Sequence, residues 1–161
     1  MDHPATTLKV DRGGGAEAVR EAAAIWSEAT ARRDGTLMAR KVEELIPGVR
    51  RRLSLDEAEL LIARSSGDAA GFTLYAPRQN TLEIFYLAVH PDAWGKGVAR
   101  QLLREVEKRA REMNRRMLEL WVIDDNERAI NVYAHNGFVT TDDTKEVTSS
   151  TRTERRLLKQ L

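Results

Sequence analysis

Hydrophobic and polar residues change their period along the chain, and each change marks an element. Thr7–Asp11 alternates as a short strand, and Gly13–Gly15 ends it. Val19, Ala22, Ala23, Trp26 and Ala29 then recur at helical spacing, with Gly35 placed to stop a helix after Asp34. Residues 36–53 keep a helical pattern broken by Pro47–Gly48, which predicts two short helices or a kink. From there the period falls to two. Glu59–Arg64 and Ala69–Ala76 read as a hairpin turning at Ser65–Asp68, and Leu82–Val89 is the most strand-like run of all. Val98, Leu102, Leu103, Val106, Ala110 and Met113 give the cleanest helix, and Met117–Ile123 a buried strand after it. Asp124–Asn126 offers helix caps, Ile130, Tyr133 and Ala134 share a helix face, and Gly137 with Phe138 fits a C-terminal stop. A polar stretch at 140–151 precedes a last strand at about 153–160. The order is β, helices, three β, α, β, α, β, β. It predicts an α/β (α+β) fold, a mixed sheet with helices packed on it, in a single domain over residues 1–161.

Composition narrows the function classes. Hydrophobic residues make up 42% of the 161, enough for a core without staples. The 26 basic and 25 acidic residues nearly cancel, so no global field points to nucleic acid or a membrane surface. There is no cysteine, hence no disulfide, thiolate metal site or cysteine nucleophile. The three histidines, His3, His90 and His135, have no metal-ligand spacing, so no metal is expected. "MDHPATTLKVDRGGG" does not read as a signal peptide, and no apolar run is long enough to span a membrane. A cytoplasmic location is the expectation.

Candidate chemistry begins at "HPDAWGKGVARQLL", where strand, turn, Gly95, Gly97 and helix follow one another. A Walker loop is excluded because Gly97, not Ser or Thr, follows Gly95-Lys96 and the lead before it is spaced differently, and a dinucleotide fingerprint fits poorly because Arg100 stands at the third glycine. Two readings remain. The glycines shape a tight turn and nothing more, or they let backbone N–H groups approach a pyrophosphate at a helix N-terminus, with Lys96 and Arg100 adding charge.

Trp94-Gly95-Lys96-Gly97-Val98-Ala99 resembles the acetyl-CoA motif of the Gcn5-related N-acetyltransferases, written [RQ]-x-x-G-x-[GA], with Trp94 in place of Arg or Gln. "NERAINVYAHNGF", residues 126–138, resembles the family's second signature, N-x-x-A-x-x-x-Y-x-x-x-G-F. The two stand in the family's order, joined by one helix and one strand, and the strand order fits nearly the whole chain. The resemblance implies a central mixed, mostly antiparallel sheet of six to seven strands flanked by about four helices. It implies acetyl-CoA as co-substrate, held by the turn residues Trp94 to Arg100, by Asn126 and Tyr133, and by the strand end Leu87, Ala88 and Val89. Backbone N–H groups near Leu87–Val89 would stabilise the carbonyl oxygen, and the same strand end would pair with the pantetheine arm. A homodimer is compatible with the family.

The implied reaction moves an acetyl group from a thioester to an amine. Without a cysteine or a G-x-S-x-G elbow, direct attack in a ternary complex is expected. Glu83 is the candidate base, because alternation puts it with Phe85, Leu87 and Val89 on one face, where apolar neighbours would raise its pKa. "EIFYLAV" also resembles the histone-acetylating branch, where a Glu at this place is the base. A solvated carboxylate at a strand edge is the alternative. The same alternation puts Tyr86 on the opposite face. Tyr133 is the candidate acid for the departing thiol, against the alternative of a plain core aromatic. From reference values near 8.5 for a thiol and 10 for tyrosine, full transfer is uphill by about 2 kcal/mol, so a hydrogen bond to developing charge is the gentler form of that role. Asn126 can cap a helix and still offer its NH₂.

The acceptor would be chosen by residues about 30–56 and 138–153. Arg50–Arg52 either belongs to a solvated face or holds an anion on the acceptor. "VTTDDTKEVTSSTRT" reads as a loop over the site, and Arg104, Lys108, Arg109 and Arg111 as solvated, one of them within reach of the 3′-phosphate. A small-molecule primary amine is the expected acceptor. A protein or peptide amine is the alternative, since "NERAINVYAHNGF" also resembles ribosomal-protein N-terminal acetyltransferases. A non-catalytic acyl-CoA-binding module is the rival from another class.

Overall fold

A computed structural model describes residues 8–147 and 150–161; Thr7 of the first expected strand and His3 lie outside them. The order is β1 (Leu8–Gly13), α1 (Ala16–Asp34), α2 (Val42–Leu53), β2 (Glu59–Ser65), β3 (Asp68–Pro77), β4 (Leu82–Val89), a short 3-10 turn (Pro91–Ala93), α3 (Val98–Glu112), β5 (Met117–Ile123), α4 (Glu127–His135), β6 (Val139–Glu146) and β7 (Thr153–Gln160). Seven strands form one sheet in the order β1-β2-β3-β4-β5-β7-β6. Every neighbouring pair is antiparallel except β4 with β5.

Local chemistry accounts for most boundaries. Gly35 takes φ +66° and closes α1 by donating its N–H to the last turn. Ser66 and Gly67 both have positive φ, which a two-residue hairpin turn between β2 and β3 requires. The expected division into two short helices at Pro47 does not occur. Residues 42–53 are one helix with Pro47 inside it, and 36–41 are not helical. Pro47 lies in the middle of the helix and removes one N–H there, and burial of Leu45 and Val49 outweighs that loss. The polar stretch expected to be a loop is mostly strand: β6 is an exposed edge and so has no apolar alternation to betray it.

The sheet has a core on each side. On one face α1 and α2 pack through Val19, Ile25 and Val49 on Leu60, Ile62, Phe72 and Leu74. On the other, Val98, Leu102 and Val106 of α3 and Tyr133 of α4 pack on Leu82, Ile84, Leu118, Leu120 and Leu157. Arg109, expected to be solvated, instead forms a two-pronged bond to Glu59 at 2.8 and 2.9 Å, and Glu59 also accepts from the Tyr75 hydroxyl at 2.8 Å. That network ties the far end of α3 to β2 and β3.

Candidate active site

The parallel pair at the sheet's centre is short. β4 and β5 are in register only at Leu82–Leu118, Glu83–Glu119 and Ile84–Leu120, although β4 runs on to Val89 and β5 to Ile123. Beyond Ile84 the strands part, and the β5-facing edge of β4 carries backbone donors and acceptors with no strand partner. An extended amide-bearing ligand can pair with such an edge. Leu87, Ala88 and Val89 all lie there, and the Val89 carbonyl accepts from Trp94 Nε1 at 2.8 Å.

Sequence alternation fails at one residue in β4. Tyr86 pairs with Leu74 and Ile84 with Tyr75, so Phe85 is an extra residue, a β-bulge. The bulge turns the rest of the strand over. Leu87 and Val89 pack toward α3, whereas Phe85, Tyr86 and Ala88 pack toward α1 and α2. The expected single face of Glu83, Phe85, Leu87 and Val89 is therefore corrected: Glu83 and Phe85 share theirs with Tyr86. Tyr86 packs edge-on to Trp26, with ring centroids 5.0 Å apart.

At the α3 side of the parting lies the glycine turn. Gly95 and Gly97 have φ +78° and +81°, conformations that disfavour any other residue, with open space where a side chain would stand. Gly97 begins α3 with no side-chain cap, so the first N–H groups, at Val98, Ala99 and Arg100, keep their donors free for an anion. Lys96 and Arg100 are exposed, and among the described residues neither has a carboxylate within 4.0 Å. The Arg128 guanidinium of α4 lies 3.9 Å from the Trp94 ring centre. His90 caps the preceding 3-10 turn, accepting the Asp92 N–H at 3.2 Å.

α4 brings the other two candidates. Asn126 caps it through Oδ1, which accepts the Ala129 N–H at 3.2 Å. Tyr133 is 8% exposed and packs on Phe138 with centroids 5.5 Å apart. Burial raises the pKa of its hydroxyl, which has no hydrogen-bond partner among the described residues.

At the base of the parting, on the α1–α2 face, stands a pair of carboxylates. Glu83 and Glu119 are register partners on the two parallel strands, each opposite in direction to core leucines. Burial raises the pKa of Glu83, and the charge of Glu119 raises it further; Arg78, Lys145 and Arg52 pull it down. Arg78 is the closest of these, with Nε 3.3 Å from the carboxylate. Glu119 accepts from Thr81 at 2.9 Å and from Arg156 at 2.6 Å. Sequence reasoning missed Glu119, Arg156 and Trp121. The signal was a lone Glu in the otherwise apolar "MLELWVI", a charge that only a buried partner could justify.

Residues 19–138 match the model of the acetyltransferase (GNAT) family. An acetyltransferase of Pectobacterium atrosepticum is 29% identical over 94 residues, 58% of this chain and 67% of that protein. The PaiA N-acetyltransferase of Thermoplasma acidophilum, solved in complex with coenzyme A, superposes with a TM-score of 0.76 at 18% identity, over 96% of this chain and 99% of its own. The ribosomal-protein-S18-alanine N-acetyltransferase of Escherichia coli superposes with a TM-score of 0.71 at 16% identity, over 96% and 94%.

Proposed function

The chain belongs to the acetyltransferase (GNAT) family and is an N-acetyltransferase, and from that premise we propose that it moves an acetyl group from acetyl-CoA directly to a primary amine of a small molecule. The observation that carries this reading is the parting of β4 and β5, which has a free glycine turn on one face of the sheet and a half-buried carboxylate at its base on the other. The residues present suit the co-substrate. Val98–Arg100 N–H groups and the exposed Lys96 and Arg100 would take the pyrophosphate, and the β4 edge at Leu87–Val89 and the Asn126 NH₂ would take the pantetheine arm.

The bound thioester supplies an activated acetyl group. The chain supplies the rest. Glu83 takes the proton that the amine gives up as its nitrogen bonds the acetyl carbon, and a raised pKa suits that work near neutrality. Backbone N–H groups on the free β4 edge stabilise charge on the acetyl oxygen. Tyr133 donates a hydrogen bond to the sulfur as the carbon–sulfur bond breaks. Because burial makes its proton harder to lose, the hydroxyl acts as a fixed donor to developing charge rather than as a full proton source. The chain has no cysteine, so the route has no cysteinyl acyl-enzyme.

The test is thiol release from acetyl-CoA in the presence of pooled amines, with coenzyme A binding measured on the same sample. Acceptor-dependent release from a small-molecule pool is the expected result. Release only with peptides would move the acceptor to protein or peptide amines. Bound coenzyme A with no release from any pool would favour the non-catalytic module.

A further inference from the structure

Two aromatic residues flank the carboxylate pair, one on each strand, and each has a cation stacked on it. Phe85 follows Glu83 by two residues on β4, and Trp121 follows Glu119 by two on β5. They therefore stand on either side of the point where the strands separate. The Arg52 guanidinium, from the end of α2, lies 4.6 Å from the Phe85 ring centre. The Lys145 ammonium, from β6, lies 4.1 Å from the Trp121 ring centre.

The charges on this face do not cancel around that point. Arg78 pairs with Glu83, and Arg156 pairs with Glu119 and Asp143. Arg52 and Lys145 are exposed and, among the described residues, have no carboxylate within 4.0 Å. Stacking on an aromatic face holds a cation in place while leaving its N–H groups pointing elsewhere. The mouth beside the base thus presents two positioned, uncommitted cations. They lie on the face of the sheet opposite α3, so they are separate from the glycine turn and its phosphate donors.

We propose that Arg52 and Lys145 bind an anionic group carried by the acceptor, so that the preferred substrate is a small amine with a carboxylate, phosphate or phosphonate a few bonds from its nitrogen. This rests on the acetyl-transfer reading above. The two cations take the anion, which turns the amine of the same molecule toward Glu83. A polyamine would bring further positive charge against Arg52 and Lys145. A peptide N-terminus, whose nearest carbonyl is an amide, lacks the anion they would bind.

The experiment compares matched acceptors by thiol release from acetyl-CoA. One arm holds free α-amino acids, a second their carboxamides, a third 2-aminoethylphosphonate with ethanolamine as its neutral match, and a fourth spermidine. Calorimetric titration of the same compounds into the coenzyme A-loaded protein runs beside it. The expected result is a preference of about ten-fold or more in kcat/KM for an anionic acceptor over its neutral match, the size of one charge-assisted hydrogen bond or more. The carboxylate and phosphonate arms tell the two anions apart. In Arg52→Gln/Lys145→Gln the ratio falls toward one through a higher KM for the anionic acceptor, while coenzyme A affinity stays at the wild-type value and shows the variant folded. Equal rates for anionic and neutral acceptors, a preference for spermidine, or a ratio unchanged in the double variant would overturn the proposal. If no arm releases thiol, the calorimetry decides. Anion binding that the double variant loses keeps the anion site and removes the transfer reading, and absence of anion binding removes the site.

Discussion

A methyl group added at Gly71 would test whether the position of α3 governs both stability and co-substrate binding. Gly71 lies in β3, opposite Val89, beneath the start of α3. A Cβ there would stand 2.8 Å from Val98 Cγ1, 3.0 Å from the Ala88 carbonyl oxygen and 3.3 Å from Leu102 Cδ1. Carbon atoms pack comfortably at about 3.5–4.0 Å, so Val98 must retreat by roughly 0.7 Å or more. It has no easy escape. Val98 is 3% exposed, Leu102 is fully buried, the third contact is backbone, and a β-branched side chain rotates reluctantly. Overpacking of this kind costs about 1–3 kcal/mol. For a chain of 161 residues that corresponds to a Tm lower by roughly 2–12 °C in Gly71→Ala. Val98 is also the first residue of α3 and carries one of the free N–H groups, so the same retreat displaces the proposed pyrophosphate donors. A loss of about 1 kcal/mol there weakens coenzyme A binding about five-fold. Thermal unfolding and coenzyme A titration of the purified variant measure both. Gly14→Ala is the control, since nothing lies within 4 Å of its added Cβ. A Gly71→Ala protein with wild-type Tm would refute the packing argument. A lowered Tm with unchanged coenzyme A affinity would separate the helix start from the phosphate site.

Three further outcomes are expected. Glu83→Gln abolishes the acidic limb of the kcat/KM profile; in the wild type that limb lies above the ordinary carboxylate range, because burial and Glu119 raise the pKa and the base works only once deprotonated. A limb that persists in the variant places the base elsewhere. Tyr133→Phe lowers kcat with little change in coenzyme A affinity, and wild-type kcat would leave the residue as a core aromatic. Gly97→Glu forces a left-handed conformation worth roughly 1–2 kcal/mol of strain and puts a negative charge at the helix start, so coenzyme A binding is lost in titration; retained affinity would remove the pyrophosphate assignment.

Legibility in the sequence followed burial. α3 shows itself because Val98, Leu102, Val106 and Ala110 are all inside, and periodicity records a face only where one face is buried. β4 and β5 end at the residues their composition suggests. β6 was expected only as a place in the strand order, and its span was hidden for the converse reason: as an exposed edge strand it is free to be polar throughout. The glycine turn could be read because positive φ selects residue type directly. The face of Tyr86 could not be read, since the bulge at Phe85 depends on the pairing of two strands and leaves no mark in "LEIFYLAV". Glu119, Trp121 and Lys145 were missed because register and strand order bring them to the mouth from β5 and β6.

Three residue pairs between β4 and β5 are a narrow seam for a sheet of seven strands. Among the described residues every strand-to-strand rung joining the first four strands to the last three passes through that seam, so elsewhere the two parts are held by side-chain packing and by the chain running through α3. A ligand lying along the parted edge would add rungs where the protein has none. It would then be a structural member as well as a reactant, and its binding energy would enter the unfolding equilibrium at about 2.7 kcal/mol for a hundred-fold excess over Kd. Amides of β5 and β7 would exchange more slowly with solvent each time the co-substrate arrives and faster each time the product leaves. The catalytic cycle is on this account also a cycle of rigidity, in which the molecule is stiffest when both halves share a guest.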